Sequence, residues 1–202
     1  MGTATKYLIG GAPTVGKSTI AAALAAHLQL PWISTDQIRD IMRTVADRRT
    51  HPELFNPQGF DAETFYSAFS AEEIVAIEIR QGEAAWTGVR ALIEGDYTWP
   101  QGFIVEGVNL LPALIRRDFG DHVRAVFVTE ADPARIREVI FTRGIWDDAG
   151  LYPDSVKERE LAWITQYDAW LKAEALAHGF PVVALDKDAR DLDRILEALK
   201  LK

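Results

Sequence analysis

Short apolar runs bounded by glycine, proline or polar residues recur along this chain, with longer stretches of helical spacing between them. Tyr7-Leu8-Ile9 is the first such run, and it passes straight into Gly10-Gly11. Thr19 to Leu28 is Ala/Leu-rich and strongly helix-forming. Pro31 ends that stretch, and Trp32-Ile33-Ser34 reads as a second strand. Over Asp36 to Ala46, Ile38, Ile41, Met42 and Val45 fall on one side of a helix. Pro52, Pro57 and Gly59 mark residues 50–60 as a loop or hinge. Asp61 to Gly95 is long and mostly helical, with an interruption expected at Gly82 or Gly88.

The second half continues the alternation. Gly102 to Val105 predicts a third strand, Leu110 to Phe119 a helix, and Val123 to Val128 a fourth strand. Asp132-Pro133 is a helix start, with aspartate as N-cap and proline at the first helical position, and that helix ends at Arg143-Gly144. Residues 145–153 form a loop, and a helix over Asp154 to His178 follows. Phe180 to Leu185 predicts the fifth strand and Asp191 to Leu199 a closing helix. Strands alternating with helices imply an α/β fold, a doubly wound parallel five-stranded sheet covered on both faces. One domain over residues 1–202 is expected, with a helical insertion over 45–100 and a small lid over 143–155.

Composition narrows the classes without choosing one. The 202 residues are 48% hydrophobic and 26% charged, as in ordinary globular proteins. A net charge of −8 with no long Lys/Arg run argues against a nucleic-acid partner. No cysteine is present, which excludes disulfides, thiolate zinc sites and a cysteine nucleophile. The first residues lack a secretory pattern, Lys6 stands where myristoylation would need Ser or Thr, and no apolar run approaches a membrane span. A cytoplasmic protein without a membrane partner is therefore expected. Oligomeric state is left open.

The chemistry concentrates at Gly11-Ala12-Pro13-Thr14-Val15-Gly16-Lys17-Ser18, which satisfies G-x-x-x-x-G-K-S/T in full and lies between a strand and a helix. Gly11 and Gly16 let backbone N–H groups wrap phosphates. Lys17 supplies a point charge for the β- and γ-phosphates, Ser18 a hydroxyl for Mg²⁺, and the helix start beginning with Ser18-Thr19 a positive dipole end. The expected cofactors are ATP and Mg²⁺.

Phosphoryl transfer also needs an acceptor group and charge on the migrating phosphoryl. Asp36, just after the second strand, could orient or deprotonate an acceptor hydroxyl, although Ser34 to Gln37 also reads as a capping box. Arg39 and Arg43 share a helix face and could clamp an anionic acceptor, or could lie on a solvated face with Asp40 and Asp47. Glu106 ends the third strand, where it could hold a magnesium-bound water or act as a base. Asn109 could bind the acceptor or cap the next helix. Arg135 and Arg143 are eight apart on one helix, with Arg143 placed to serve from a closing lid or to offset the helix dipole. His27, His51, His122 and His178 show no ligand spacing.

Three blocks resemble the 2-phosphoglycerate kinase family of P-loop small-molecule kinases: Ile9 to Thr19, the run Ser34-Thr35-Asp36-Gln37-Ile38-Arg39-Asp40-Ile41-Met42-Arg43, and Arg90 to Gly95 with Ile104 to Pro112. The resemblance covers roughly the first 115 residues. It implies an adenylate-kinase-like fold with a lid, use of MgATP, and functional roles for Asp36, Arg39 and Glu106. Two departures stand out. Asn109 occupies a position that is usually His in the family, and Asp132-Pro133-Ala134-Arg135 replaces a His-containing run.

The leading expectation is thus an ATP-dependent kinase acting on a hydroxyl of a small metabolite, an anionic one being the candidate. A nucleoside monophosphate kinase and an antibiotic- or toxin-type phosphotransferase are same-class alternatives. A nucleotide-gated switch protein is the alternative of another class. It would expose a conspicuous apolar surface, for which Trp86, Trp99, Trp146, Trp163 and Trp170 leave room.

Overall fold

The computed structural model describes residues 4–95, 98–145 and 148–202. Its five strands are β1 (Thr5–Gly11), β2 (Trp32–Ser34), β3 (Gly102–Gly107), β4 (Arg124–Glu130) and β5 (Val182–Leu185). All pair in parallel, in the order β2-β3-β1-β4-β5. Eight α-helices occur among the described residues: α1 (Lys17–Leu28), α2 (Thr35–Val45), α3 (Ala62–Ala68), α4 (Ala71–Glu94), α5 (Pro112–Phe119), α6 (Pro133–Thr142), α7 (Asp154–Ala177) and α8 (Asp191–Ala198). Short 3₁₀ turns cover Pro52–Phe55 and Ala149–Leu151.

Consecutive residues of β1, β3 and β4 are buried, not alternate ones, so helices cover both faces of the sheet. Leu8, Ile9, Phe103, Ile104, Val105 and Val126 are fully buried at its centre. The expected doubly wound fold is borne out. Among the described residues no helix is long and apolar enough to cross a membrane.

Two expectations need correction. β3 and β4 each run two residues past the apolar run that announced them, to Gly107 and Glu130. Polar residues stay in the ladder because their backbones pair: Ile9 with Glu106, and Glu130 with Leu185. The other correction concerns the long helical stretch. It breaks at Phe69-Ser70, and α4 then runs unbroken through both Gly82 and Gly88. Ser70 Oγ accepts from Glu73 N at 3.2 Å while Glu73 Oε2 accepts from Ser70 N at 2.8 Å, a complete capping box. The glycines serve packing instead. A Cβ on Gly88 would lie 2.5 Å from Met42 Sδ of α2, and one on Gly82 would lie 3.1 Å from Leu111. Close approach of α2 to α4 is what Gly88 permits.

The register sets up the site. Glu106 lies level with Ser34 on one neighbour and Ile9 on the other, and Gly10 pairs with Gly107. The loops leaving β1, β2 and β3 therefore emerge side by side at one edge of the sheet, where α/β folds bind ligands.

Candidate active site

The segment between β1 and α1 curls over this edge. Ala12 and Val15 are fully buried, which anchors the loop, while Thr14 (φ 68°) and Gly16 (φ 98°) take left-handed conformations. Gly16 is the N-cap of α1, so its freedom of φ is what lets the helix start there. Gly11 also has a packing task. A Cβ there would sit 2.8 Å from Val128 O, so its lack of a side chain seats the loop against β4. Lys17 Nζ donates to Ala12 O at 3.4 Å, which curls the lysine back over the loop.

Pro13, Thr14, Gly16, Lys17, Ser18 and Thr19 form one wall of a cleft of about 1210 Å³. Behind them, Ser18 Oγ donates to Glu106 Oε1 at 3.1 Å. Glu106 is 1% exposed, and its Oε2 has no hydrogen-bond partner. Burial pushes its carboxyl above the ordinary value, opposed by the Lys17 charge and the Ser18 hydrogen bond. A buried carboxylate with one free oxygen beside a hydroxyl fits a hydrated Mg²⁺. Among the described residues no cluster of three His, Asp or Glu exists to hold a metal alone. Phosphate oxygens and water would have to complete the shell, as is usual for this ion.

The opposite half of the cleft is built from α2, α3, α4 and the Pro52–Phe55 turn. Ser34 and Gln37 do form the capping box at the start of α2, and of Asp36 it engages only the backbone N–H. The Asp36 carboxylate lines the cleft, 48% exposed, 3.2 Å from Arg39 Nη2. Capping and a cleft-facing acid thus coexist. Arg39 also lines the cleft, and its Nη1 donates to Gln81 Oε1 at 2.7 Å. Arg43 reaches the cleft too, yet its guanidinium is fastened to Leu54 O, to Asn56 O at 3.0 Å and to Asp40 at 2.9 Å. It ties α2 to the loop after the 3₁₀ turn.

Sequence reasoning missed Glu78 and Gln81, which lie three apart on α4 and line this half of the cleft. Both stand on the stripe of α4 that also carries buried Ile74, Ile77 and Ala85. Polar residues at core spacing were the available signal. Burial, with Asp36 adding to it, raises the Glu78 carboxyl to about 7 against the pull of Arg39 and Arg43. Asn109 does not cap α5, whose N-cap is Leu111. Its side chain is fully buried with neither amide atom hydrogen-bonded, and it is not among the residues lining the cleft.

Arg135 and Arg143 diverge despite their shared helix. Arg135 donates to Glu130 Oε1 at 3.0 Å and to Asp186 O at 2.8 Å, tying the ends of β4 and β5 together away from the cleft lining. Lys187, also missed from the sequence, lines the cleft with its Nζ 2.8 Å from Glu130 Oε2. Arg143 closes α6 and lines the cleft with Val139 and Ile145. After it, Gly144 takes φ 79° where a Cβ would strike Asp148, and Ile145 N donates to Glu160 Oε1 at 3.3 Å. Burial and Asp148 push the Glu160 carboxyl up to about 7. Trp146 and Asp147 of the expected lid lie outside the described residues. Trp86 and Trp163 are buried, and Trp99 and Trp170 are half-buried, so these four form no exposed tryptophan surface.

With this geometry in place, the comparisons with known proteins are informative. The chain is 36% identical over 129 residues to a 2-phosphoglycerate kinase of Methanocaldococcus jannaschii, covering 60% of this chain and 39% of that protein. It is 29% identical over 209 residues to the 2-phosphoglycerate kinase of Methanothermobacter thermautotrophicus, covering 95% of this chain and 64% of that one. The chain therefore spans between 39% and 64% of the length of these two relatives. Among solved structures, a gluconokinase from Sinorhizobium meliloti matches with TM-score 0.55 and 13% identity over 100% of this chain and 94% of that one. Shikimate kinase from Bacteroides thetaiotaomicron matches with TM-score 0.54 and 16% identity, covering 98% and 96%. No protein-family model matches the chain. The resemblance to 2-phosphoglycerate kinases is borne out, and the fold is that of the small-molecule P-loop kinases.

Proposed function

We propose that the chain is an ATP-dependent phosphotransferase that phosphorylates a hydroxyl of a small hydroxy acid. The observation that carries this reading is the meeting, in one cleft, of the phosphate loop with its Ser18–Glu106 pair and of Asp36 with Arg39 from a different element. A switch protein needs only the first of these, whereas a kinase needs both.

In this reading the backbone N–H groups of Thr14 to Ser18 and the Lys17 ammonium hold the β- and γ-phosphates. Ser18 and, through water, Glu106 would hold Mg²⁺, which when bound neutralises charge on the phosphate oxygens. Asp36 accepts a hydrogen bond from the acceptor hydroxyl and aims its oxygen at the γ-phosphorus. A new acceptor O–P bond then forms as the bond from the γ-phosphorus to the β,γ-bridging oxygen breaks, and the hydroxyl proton passes to Asp36. Arg39 holds the acid group of the acceptor, and Arg143, at the edge of the lid, faces the migrating phosphoryl.

The test is ATP consumption against 2-phosphoglycerate, glycerate, other hydroxy acids and nucleoside monophosphates. Strong stimulation by one hydroxy acid is expected, and Lys17→Ala should lower that turnover by roughly 10²- to 10³-fold while the protein stays folded. Slow hydrolysis indifferent to every acceptor would overturn the reading in favour of a nucleotide switch. Stimulation by a monophosphate alone would move it to the nucleotide kinases.

A further inference from the structure

Most polar groups in the acceptor half of the cleft already have partners. Asp36 is paired with Arg39, Asp40 with Arg43, and Gln81 with Arg39 and the Asn56 carbonyl. Two do not. Glu78 makes no hydrogen bond or ion pair among the described residues, although it is half-buried and lines the cleft. Arg39 Nε, buried and 3.9 Å from Asp40 Oδ1, has no hydrogen-bond partner either. That half of the cleft therefore offers an uncommitted acceptor close to the Arg39 guanidinium, whose Nη groups are shared with Asp36 and Gln81. Leaving the half-buried Glu78 carboxyl unpaired is costly, so a ligand that brings it a donor and sets an acid group on the Arg39 guanidinium is favoured over one that does either alone.

We propose that Glu78 is a specificity-determining residue that holds a second hydroxyl of the acceptor while Arg39 holds its carboxylate, so that the cleft selects a small dihydroxy acid. The assignment of this ligand as the phosphate acceptor rests on the kinase reading above. A carboxylate at this place accepts from a hydroxyl and repels a phosphate, which disfavours an acid whose second hydroxyl is already phosphorylated. The charges facing Glu78 are Arg39, Arg43 and Asp36 of α2, with the phenols of Tyr66 (α3) and Tyr167 (α7) also within its electrostatic reach.

The experiment measures binding directly, by calorimetry at pH 8 with Mg²⁺ and a non-hydrolysable ATP analogue. The probes are glycerate, its single-hydroxyl analogues lactate and 3-hydroxypropionate, and 2-phosphoglycerate. Glycerate should bind roughly 10- to 100-fold tighter than each single-hydroxyl acid, the range of one hydrogen bond to a charged group. Glu78→Met keeps length and removes the acceptor oxygens, and it should erase the preference over one of the two analogues. Glu78→Gln keeps one acceptor oxygen, should restore part of that preference, and should tighten 2-phosphoglycerate by removing the like charge. A merely structural role predicts equal weakening of every acid, with ratios unchanged. That result, equal affinities in the unaltered protein, or binding of no acid at all would overturn the proposal. If the preference holds but no acceptor is ever phosphorylated, the kinase reading falls and the selection by Glu78 stands.

Discussion

At the scale of single residues, the site works by leaving particular atoms uncommitted. Glu106 gives one oxygen to Ser18 and keeps the other free, and Asp36 leaves the capping of α2 to Ser34 and Gln37. That division makes a sharp prediction for Asp36→Asn. The cap survives, since it uses the backbone N–H of residue 36, so stability should change by less than about 1 kcal/mol. In the proposed reading, turnover should fall by roughly 10²-fold or more, because the amide cannot take the acceptor proton. Steady-state kinetics beside a denaturant titration would decide it, and a loss of stability with unchanged turnover per folded molecule would return Asp36 to a capping role. Arg43 shows the opposite habit: its guanidinium is spent on two carbonyls and Asp40, so it shapes the pocket more than it offers a free hand.

At the scale of elements, local signals carried far where they were chemical and failed where tertiary packing decides. The Asp132-Pro133 start of α6 and the Ser34/Gln37 box at α2 are both formed as the sequence indicates. The break expected at Gly82 or Gly88 is absent, because those glycines answer to Leu111 and Met42 across a helix interface that no local window contains. The real break carries a capping box, Ser70 with Glu73, that was equally local and outweighed by glycine. Ser70→Ala should accordingly cost about 1 kcal/mol in a denaturant titration, with an unchanged slope. No measurable loss would mean that the α3–α4 junction is fixed by packing alone. The phosphate loop and the residues of its wall were legible from sequence. Glu78, Gln81 and Lys187 were not, since their partners come from distant elements and their meaning is positional.

At the scale of the whole molecule, acidity is distributed unevenly between core and surface. Glu78 and Glu160 hold their protons up to about 7, whereas exposed acids such as Asp61, Glu158 and Asp188 are held below their ordinary values by hydrogen bonds and cations. These two carboxyls bind protons more tightly folded than unfolded. Their contribution is complete below the ordinary glutamate value of 4.5 and is lost as pH rises through about 7. The exposed acids act in the reverse sense, and only below pH ~4. The melting temperature should therefore fall between pH 5 and pH 8, and Glu160→Gln should flatten part of that fall. A melting temperature that rises across the window would show that the buried carboxyls are already ionised at pH 5. A last consequence follows from where the acceptor wall comes from. The wall that carries the phosphate-loop motif hangs on strand ends across the sheet, but most of the facing wall is contributed by α2 and one continuous stretch, Phe55 to Gln81, inserted ahead of β3. Under the kinase reading proposed above, such a layout is modular in an evolutionary sense: a lineage can exchange that single cassette, and with it the molecule bound there, while inheriting the phosphate loop unaltered.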